Sequence, residues 1–215
     1  MSGIQRVLFD LDGTLTDPST GITRCLEYAL TAMDMQAPAL VDMEKYIGPP
    51  LGSIFADLGV APNKVPRAIS LYRERFSSIG LFENLVYAGV PEMLDRLSRS
   101  GFELYVATSK PTQFAVRILE HFALASSFED IVGATLDGSR SHKADVIAHA
   151  IRNTGAAGTV MIGDRKHDMR GAATHGIPAI AVTWGFGSLE ELAAEDPWRT
   201  ATSTAALTDI LHANS

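Results

Sequence analysis

Short apolar runs alternate with helically spaced apolar positions along most of this chain, and that alternation sets the expected fold. Runs rich in β-branched and aromatic residues, bounded by Gly, Pro or polar positions, predict strands at Val7–Phe9, Glu103–Thr108, Ile131–Val132, Val160–Ile162 and Ala179–Val182. Between them lie helical stripes. Val90, Met93, Leu94 and Leu97 form one, stopped by Gly101. Ala115, Ile118, Leu119 and Phe122 form a second, and Val146, Ile147, Ala150 and Ile151 a third. Ser188 and Glu191 have capping-box spacing at the start of another helix. This order predicts an α/β fold: a Rossmann-like three-layer core with a mainly parallel sheet covered on both faces.

One block breaks the rhythm. Between about Pro18 and Asn84 the pattern predicts helices and no strand. Ile22, Cys25, Leu26, Ala29, Leu30 and Met33 share one helical face, and Val65, Ala68, Ile69 and Tyr72 another. A purely helical block after the first strand reads as an inserted subdomain. The expected division is a core of residues 1–15 and 86–215 and a helical insertion of residues 16–85.

Composition narrows the function classes. The 215 residues suffice for a real core, and 46% hydrophobic with 20% charged residues is ordinary for a globular protein. The formal net charge is −7, with no block of like charge, so a basic surface for a nucleic-acid polymer is not expected. Cys25 is the single cysteine and lies on an apolar helical face, which excludes an intramolecular disulfide and favours packing. The start "MSGIQR" lacks an apolar signal core, and no apolar run is long enough to span a bilayer. A cytoplasmic protein without membrane partners is expected.

The candidate chemistry lies at strand ends, where open parallel sheets bind their ligands. Asp10 and Asp12 follow the first strand; Thr108, Ser109 and Lys110 follow the second. Lys143 opens a helix after the third, and Asp164 and Asp168 follow the fourth. In a parallel sheet all four groups converge on one rim. Asp10 and Asp12 are two apart and share a face in extended chain. Carboxylates that close repel one another unless a cation or proton intervenes, and an oxygen-rich cluster suits Mg²⁺ best. Lys143 and the Thr108 hydroxyl would hold phosphoryl oxygens, while Gly13 lets backbone amides approach them. By order along the turn, Asp10 attacks phosphorus to form an aspartyl-phosphate. Asp12 protonates the leaving oxygen and then activates water.

At these positions the chain resembles the haloacid dehalogenase superfamily. "DLDGTLTD", the hydroxyl residue of "VATSKP", the lysine of "HKADVI" and "GDRKHD" match its four motifs in order and spacing. Within it, "YIGPPL", "TSKP" and "GIPAIAVTWGFG" are most similar to the phosphoglycolate phosphatase-like branch, which carries an α-helical cap. The resemblance implies a Mg²⁺-dependent phosphatase of a small phosphorylated metabolite, phosphoglycolate phosphatase-like or 5'-nucleotidase-like, acting as a monomer or homodimer. It implies Asp10 as nucleophile and Asp12 as acid/base. Thr108 and Lys143 would assist catalysis, with Gly13, Thr14 and Ser109 also at the phosphate. The metal would be held by the Asp10 carboxylate, the Asp12 backbone carbonyl and Asp164, with Asp168 holding its waters or a neighbouring group. Ser109 stands where many relatives have asparagine. Asp12 itself argues against dehalogenation, because dehalogenating members lack a carboxylate there.

Other readings stay open at this stage. A sugar phosphomutase would use the same chemistry but need a bisphosphate activator. A phospho-switch would use a similar acidic cluster, but without an inserted helical block. His142, His149, His167 and His175 lack paired metal-ligand spacing. "GFGS" at 185–188 lacks the third glycine of a dinucleotide loop. Gly48, Pro49 and Pro50 mark either a helix stop or a cap loop at the active site. Arg24, Lys45 and residues 47–51 are candidates for substrate selection.

Overall fold

The structure, a computed structural model, describes residues 3–215. In chain order its elements are β1 (Arg6–Phe9), β2 (Thr16–Asp17), α1 (Ser19–Thr31), α2 (Leu40–Met43), α3 (Leu51–Asp57), α4 (Val65–Arg75), β3 (Leu85–Val86), α5 (Val90–Arg99), β4 (Glu103–Pro111), α6 (Thr112–His121), β5 (Asp130–Ala134), α7 (Lys143–Ala150), β6 (Thr159–Gly163), α8 (Lys166–Thr174), β7 (Ala179–Val182), α9 (Leu189–Ala193), β8 (Arg199–Ala201) and α10 (Thr204–His212). The chain forms two compact units: one runs to Thr16 and resumes at Val86, the other is Asp17–Leu85. β2 and β3 pair with each other in a separate two-stranded sheet.

The first unit is an α/β domain. Its six strands lie in the order β5-β4-β1-β6-β7-β8, and every pairing is parallel. β1 is central, with Val7 opposite Leu104 on one side and Val160 on the other. Successive strands build outward through β4 and β5. The chain then returns through α7 to β6 on the far side of β1. This reversal is the switch point at which parallel sheets open a crevice beyond their strand ends. Alternation along the strands sends Leu8, Ala107, Met161 and Ala181 into one core layer with Val146 and Ile147 of α7 and Met169 and Ala172 of α8. Asp10, two residues beyond Leu8, leaves the sheet next to the first turns of those two helices.

The strand pattern departs from the sequence reading at the two-residue strands β2 and β3, at β8 and at the end of β4. β8 is absent from that reading because it is a three-residue edge strand whose Arg199 and Thr200 are exposed. β4 runs on to Pro111 rather than ending at Thr108, with a register shift between those two residues. The expected stripes otherwise pack as written: Val90, Met93, Leu94 and Leu97 are the buried residues of α5.

The second unit is helical. α1 buries Ile22, Cys25, Leu26, Ala29 and Leu30, and α4 buries Ala68 and Tyr72. Tyr72 stacks on Phe76 at 5.4 Å between ring centres and meets Phe55 edge-on. Gly21 admits the carbonyls of Gly80 and Glu83 so closely that a Cβ would overlap the former. The Glu83 carboxylate then takes Arg75 at 2.7 Å and Arg24 at 2.8 Å. Arg24, a candidate for substrate selection, is thus engaged inside this unit. Ile47 is fully buried in it, and Lys45 lies 5.2 Å from the ring centre of Tyr46.

Hydrogen bonding from Arg75 holds Glu83 below the usual glutamate range, against an opposing effect of burial. A carboxylate with a lowered pKa stabilises the fold above its ordinary value of 4.5 and loses that contribution as pH falls through the lowered one. Glu83→Gln should therefore cost about 1–3 kcal/mol at pH 7. Chemical denaturation should show the gap between the two proteins closing below pH 4.5. A gap unchanged in acid would assign the loss to packing instead.

Candidate active site

Four aspartates and two lysines meet beyond the C-terminal ends of β1, β4 and β6. The chain leaves β1 at Asp10 and turns at once. Thr14, Leu15 and Thr16 all donate to the Leu11 carbonyl, and Gly13, at φ 83°, donates to that of Thr16. Asp12 pairs with Thr16 in an isolated bridge, and the turn lies just after it at Gly13–Leu15. Each of the two carboxylates has its own cation. Lys143 Nζ lies 2.9 Å from Asp10 Oδ1, and Lys110 Nζ lies 2.7 Å from Asp12 Oδ2.

Lys143 is the first residue of α7 and is buried. Its ammonium also lies 2.7 Å from Asp168 Oδ1 and donates to the Ala107 carbonyl at 3.0 Å. Its stem runs past Gly171 of α8, where a Cβ would come within 2.8 Å of Lys143 Cγ. Asp168 sits in the first turn of α8, accepting from the Arg165 amide through Oδ2. It thus does both things the sequence left open, holding a helix start and joining the cluster.

Asp164 is fully buried after β6. Thr14 donates its hydroxyl to Oδ1 at 3.3 Å, and the Phe186 amide donates to Oδ2 at 2.8 Å. Gly13, Gly185 and Gly187 lie so close around it that a Cβ on any of them would overlap Asp164, and Gly163 stands likewise against Asp168. The sequence reading gave "GFGS" no role. The available signal was two glycines one residue apart at the end of a strand, on the rim where ligands bind. Trp184, in the same loop, donates from its indole to the Thr14 carbonyl at 3.0 Å.

The remaining expected residues lie nearby. Thr108 is buried and its hydroxyl accepts from the Lys110 amide at 3.2 Å. Ser109 is half-buried. Lys110, which the sequence reading placed at the rim without a role, brings its ammonium into the cluster.

Burial dominates the electrostatics. It raises the pKa of Asp164 well above the usual aspartate value, and the charges of Asp168 and Asp10 add to that. It raises Asp12 too, with Lys110 opposing, and raises Asp168 to about 6 with Lys143 opposing. For Lys143 burial works the other way, but Asp10 and Asp168 outweigh it and hold the ammonium charged. Four carboxylates face two ammonium groups, so the ionised cluster is two charges short of neutral. Oxygens of Asp10, Asp164 and Asp168 all lie within 4.8 Å of one another. Asp12 Oδ1, although buried, has no hydrogen-bond partner among the described residues. An all-oxygen donor set with a charge deficit of two fits a hard divalent cation such as Mg²⁺.

Aspartates with raised pKa bind protons more tightly in the folded protein, so the metal-free protein should gain stability as pH falls from 8 through about 6. Mg²⁺ should raise the melting temperature at pH 8, and the increment should shrink toward pH 5 as protons compete for the same oxygens. Thermal denaturation with Mg²⁺ or EDTA at both pH values tests this. An increment independent of pH would place the cation elsewhere.

The chain matches the haloacid dehalogenase-like hydrolase family over residues 7–182. It is 45% identical over 211 residues to a 5'-nucleotidase of Pseudomonas aeruginosa, covering 97% of this chain and 96% of that one. It is 40% identical over 185 residues to the tyrosine-protein kinase PtkA of Mycobacterium tuberculosis, covering 85% of this chain and 63% of the kinase. The crystal structure of a predicted phosphatase from Clostridium acetobutylicum superimposes with a TM-score of 0.95 at 43% identity, covering 99% and 100% of the two chains. The acidic rim of the parallel sheet and these likenesses agree, and the chain belongs to the haloacid dehalogenase-like hydrolases.

Proposed function

We propose that this protein is a Mg²⁺-dependent phosphatase that hydrolyses a small phosphate monoester through a phosphorylated Asp10. The observation that carries the reading is the buried Lys143 ammonium between Asp10 and Asp168, beside the oxygen cluster with Asp164. Asp10, Asp164 and Asp168 would hold the cation, together with the Asp12 backbone carbonyl. When bound, the cation supplies charge neutralisation for the phosphoryl group.

The chain's own residues carry the steps. Asp10, its Oδ1 held by the Leu11 amide at 2.7 Å and by Lys143, attacks phosphorus. Lys143, the Thr108 hydroxyl and the amides of the Gly13–Thr14 turn hold the phosphoryl oxygens, with Ser109 adjacent. Asp12 gives a proton to the departing oxygen, then takes one from the water that hydrolyses the acyl phosphate. Residues 16–85 act as the cap domain.

A nucleoside 5'-monophosphate is the favoured substrate class, since the likeness to the 5'-nucleotidase extends over nearly all of both chains. Phosphoglycolate is the alternative, from a 30% identical phosphoglycolate phosphatase of Caulobacter vibrioides. Buried Cys25, and described helices too short or too polar to cross a membrane, are compatible with a cytoplasmic monomer or homodimer. The likeness to PtkA supports a second reading, in which phosphoryl passes to a tyrosine rather than to water.

Phosphate release from a panel of nucleotides and small esters, with Mg²⁺ and with EDTA, tests the proposal. Asp10→Asn should lose about a thousand-fold or more in kcat. Metal-dependent release that survives in this variant would overturn Asp10 as nucleophile. Phosphate incorporated into a tyrosine peptide, with none released, would favour the second reading.

A further inference from the structure

From the geometry at the end of β4 we infer that Lys110 is a positioning residue for Asp12, anchoring one carboxylate oxygen so that the other handles the proton. This rests on the phosphatase reading above and adds a residue that reading leaves without a role.

Three observations place Lys110 there by construction. First, the pairing of β4 with β5 advances by one residue on β5, from Gly133 to Ala134, while β4 advances from Thr108 to Pro111. Ser109 and Lys110 are thus additional residues, released from the regular alternation of the strand. Such irregularities re-aim a side chain. Second, the irregular stretch is held on both sides. The Lys110 amide donates to the Thr108 hydroxyl, and the Gly133 amide donates to the Thr112 hydroxyl at 3.0 Å. A Cβ on Gly133 would overlap the Lys110 carbonyl and stand 2.7 Å from the Thr112 amide nitrogen. Third, the re-aimed ammonium is buried, with its side chain 5% exposed, 2.7 Å from Asp12 Oδ2. An ammonium is desolvated at that cost only where a carboxylate meets it.

The consequence for Asp12 is an asymmetry between its two oxygens. Oδ2 meets an ammonium, a group that donates hydrogen bonds and cannot accept one. Oδ1 is buried and has no partner among the described residues. A proton donated to the leaving oxygen therefore departs from Oδ1, and the proton taken from water returns to it. The bond from phosphorus to the leaving oxygen breaks as the bond from Asp10 forms, and the leaving group departs as the neutral alcohol.

The test compares two esters in one protein. An alkyl phosphate needs its leaving oxygen protonated, whereas p-nitrophenyl phosphate leaves readily as the anion. Single-turnover release of each leaving group, with Mg²⁺, reports the first step alone. Lys110→Met should lower that rate about a hundred-fold or more for the alkyl ester, within the usual range for general acid catalysis, and only a few-fold for the aryl ester. KM should be little changed for both, and Lys110→Arg should restore part of the alkyl rate. Each ratio is internal to one preparation, so a partly unfolded variant does not disturb it. Equal losses on both esters, or a rise in KM for both, would overturn the assignment and make Lys110 a structural or phosphate-binding residue. Wild-type protein that releases neither leaving group would overturn the phosphatase reading itself.

Discussion

The contact on which the rest of the site depends is the buried ammonium of Lys143 between Asp10 and Asp168. Moving such a charge out of water costs several kcal/mol, which only well-placed opposite charges offset. The two carboxylates come from different elements, one past the end of β1 and one in the first turn of α8, and the lysine opens α7. The ion triad therefore fixes the central strand against the starts of two helices on the same sheet face. Removing the lysine would do more than delete a charge. Asp10 and Asp168 would be left as two buried carboxylates beside one another without their shared counter-charge. The arrangement also explains Gly171, since only a residue without a side chain lets the lysine stem pass that close to α8.

Asp164 is held by a different device. It has two hydrogen bonds, and its position is set largely by backbone approaching from several directions. Gly13 comes from the turn after β1, and Gly185 and Gly187 from the loop after β7. Closely packed backbone leaves a carboxylate few alternative rotamers, which suits a group whose purpose is to present oxygens at fixed spacing. The Trp184 indole closes the same assembly by holding the Thr14 carbonyl, so the loop after β7 braces both Asp164 and the turn after Asp10.

Much of this was legible in the sequence because parallel strands announce themselves. Central strands are buried on both faces, so β1, β6 and β7 read as continuous apolar runs. Motif residues stand at their ends, at positions the topology makes convergent. Three features were not legible, for separate reasons. β8 lies at the sheet edge, where "RTA" carries no apolar run to mark it. The extension of β4 to Pro111 depends on its pairing with Ala134, a partner more than twenty residues away, and local pattern cannot register it. The role of Gly185 and Gly187 depends on closeness to Asp164, which precedes them by a whole strand–helix unit. In each case the missing information was a contact between distant segments.

A similar dependence on distant segments governs the two carboxylates at the end of β1. Acids two residues apart would ordinarily compete for the same counter-charge. Here each meets an ammonium from a different element: α7 supplies Lys143 to Asp10, and the irregular end of β4 supplies Lys110 to Asp12. Unlike surroundings are what would allow two like residues to take the unlike roles proposed above, one as nucleophile and the other as acid and base. The pKa of Asp12 is raised by burial, with Lys110 opposing, in the direction that the proposed acid and base role asks for. Asp10 has one oxygen on the Lys143 ammonium and the Leu11 amide. The division of labour proposed for Asp10 and Asp12 would thus rest on the fold delivering two lysines, from two elements, to one short segment.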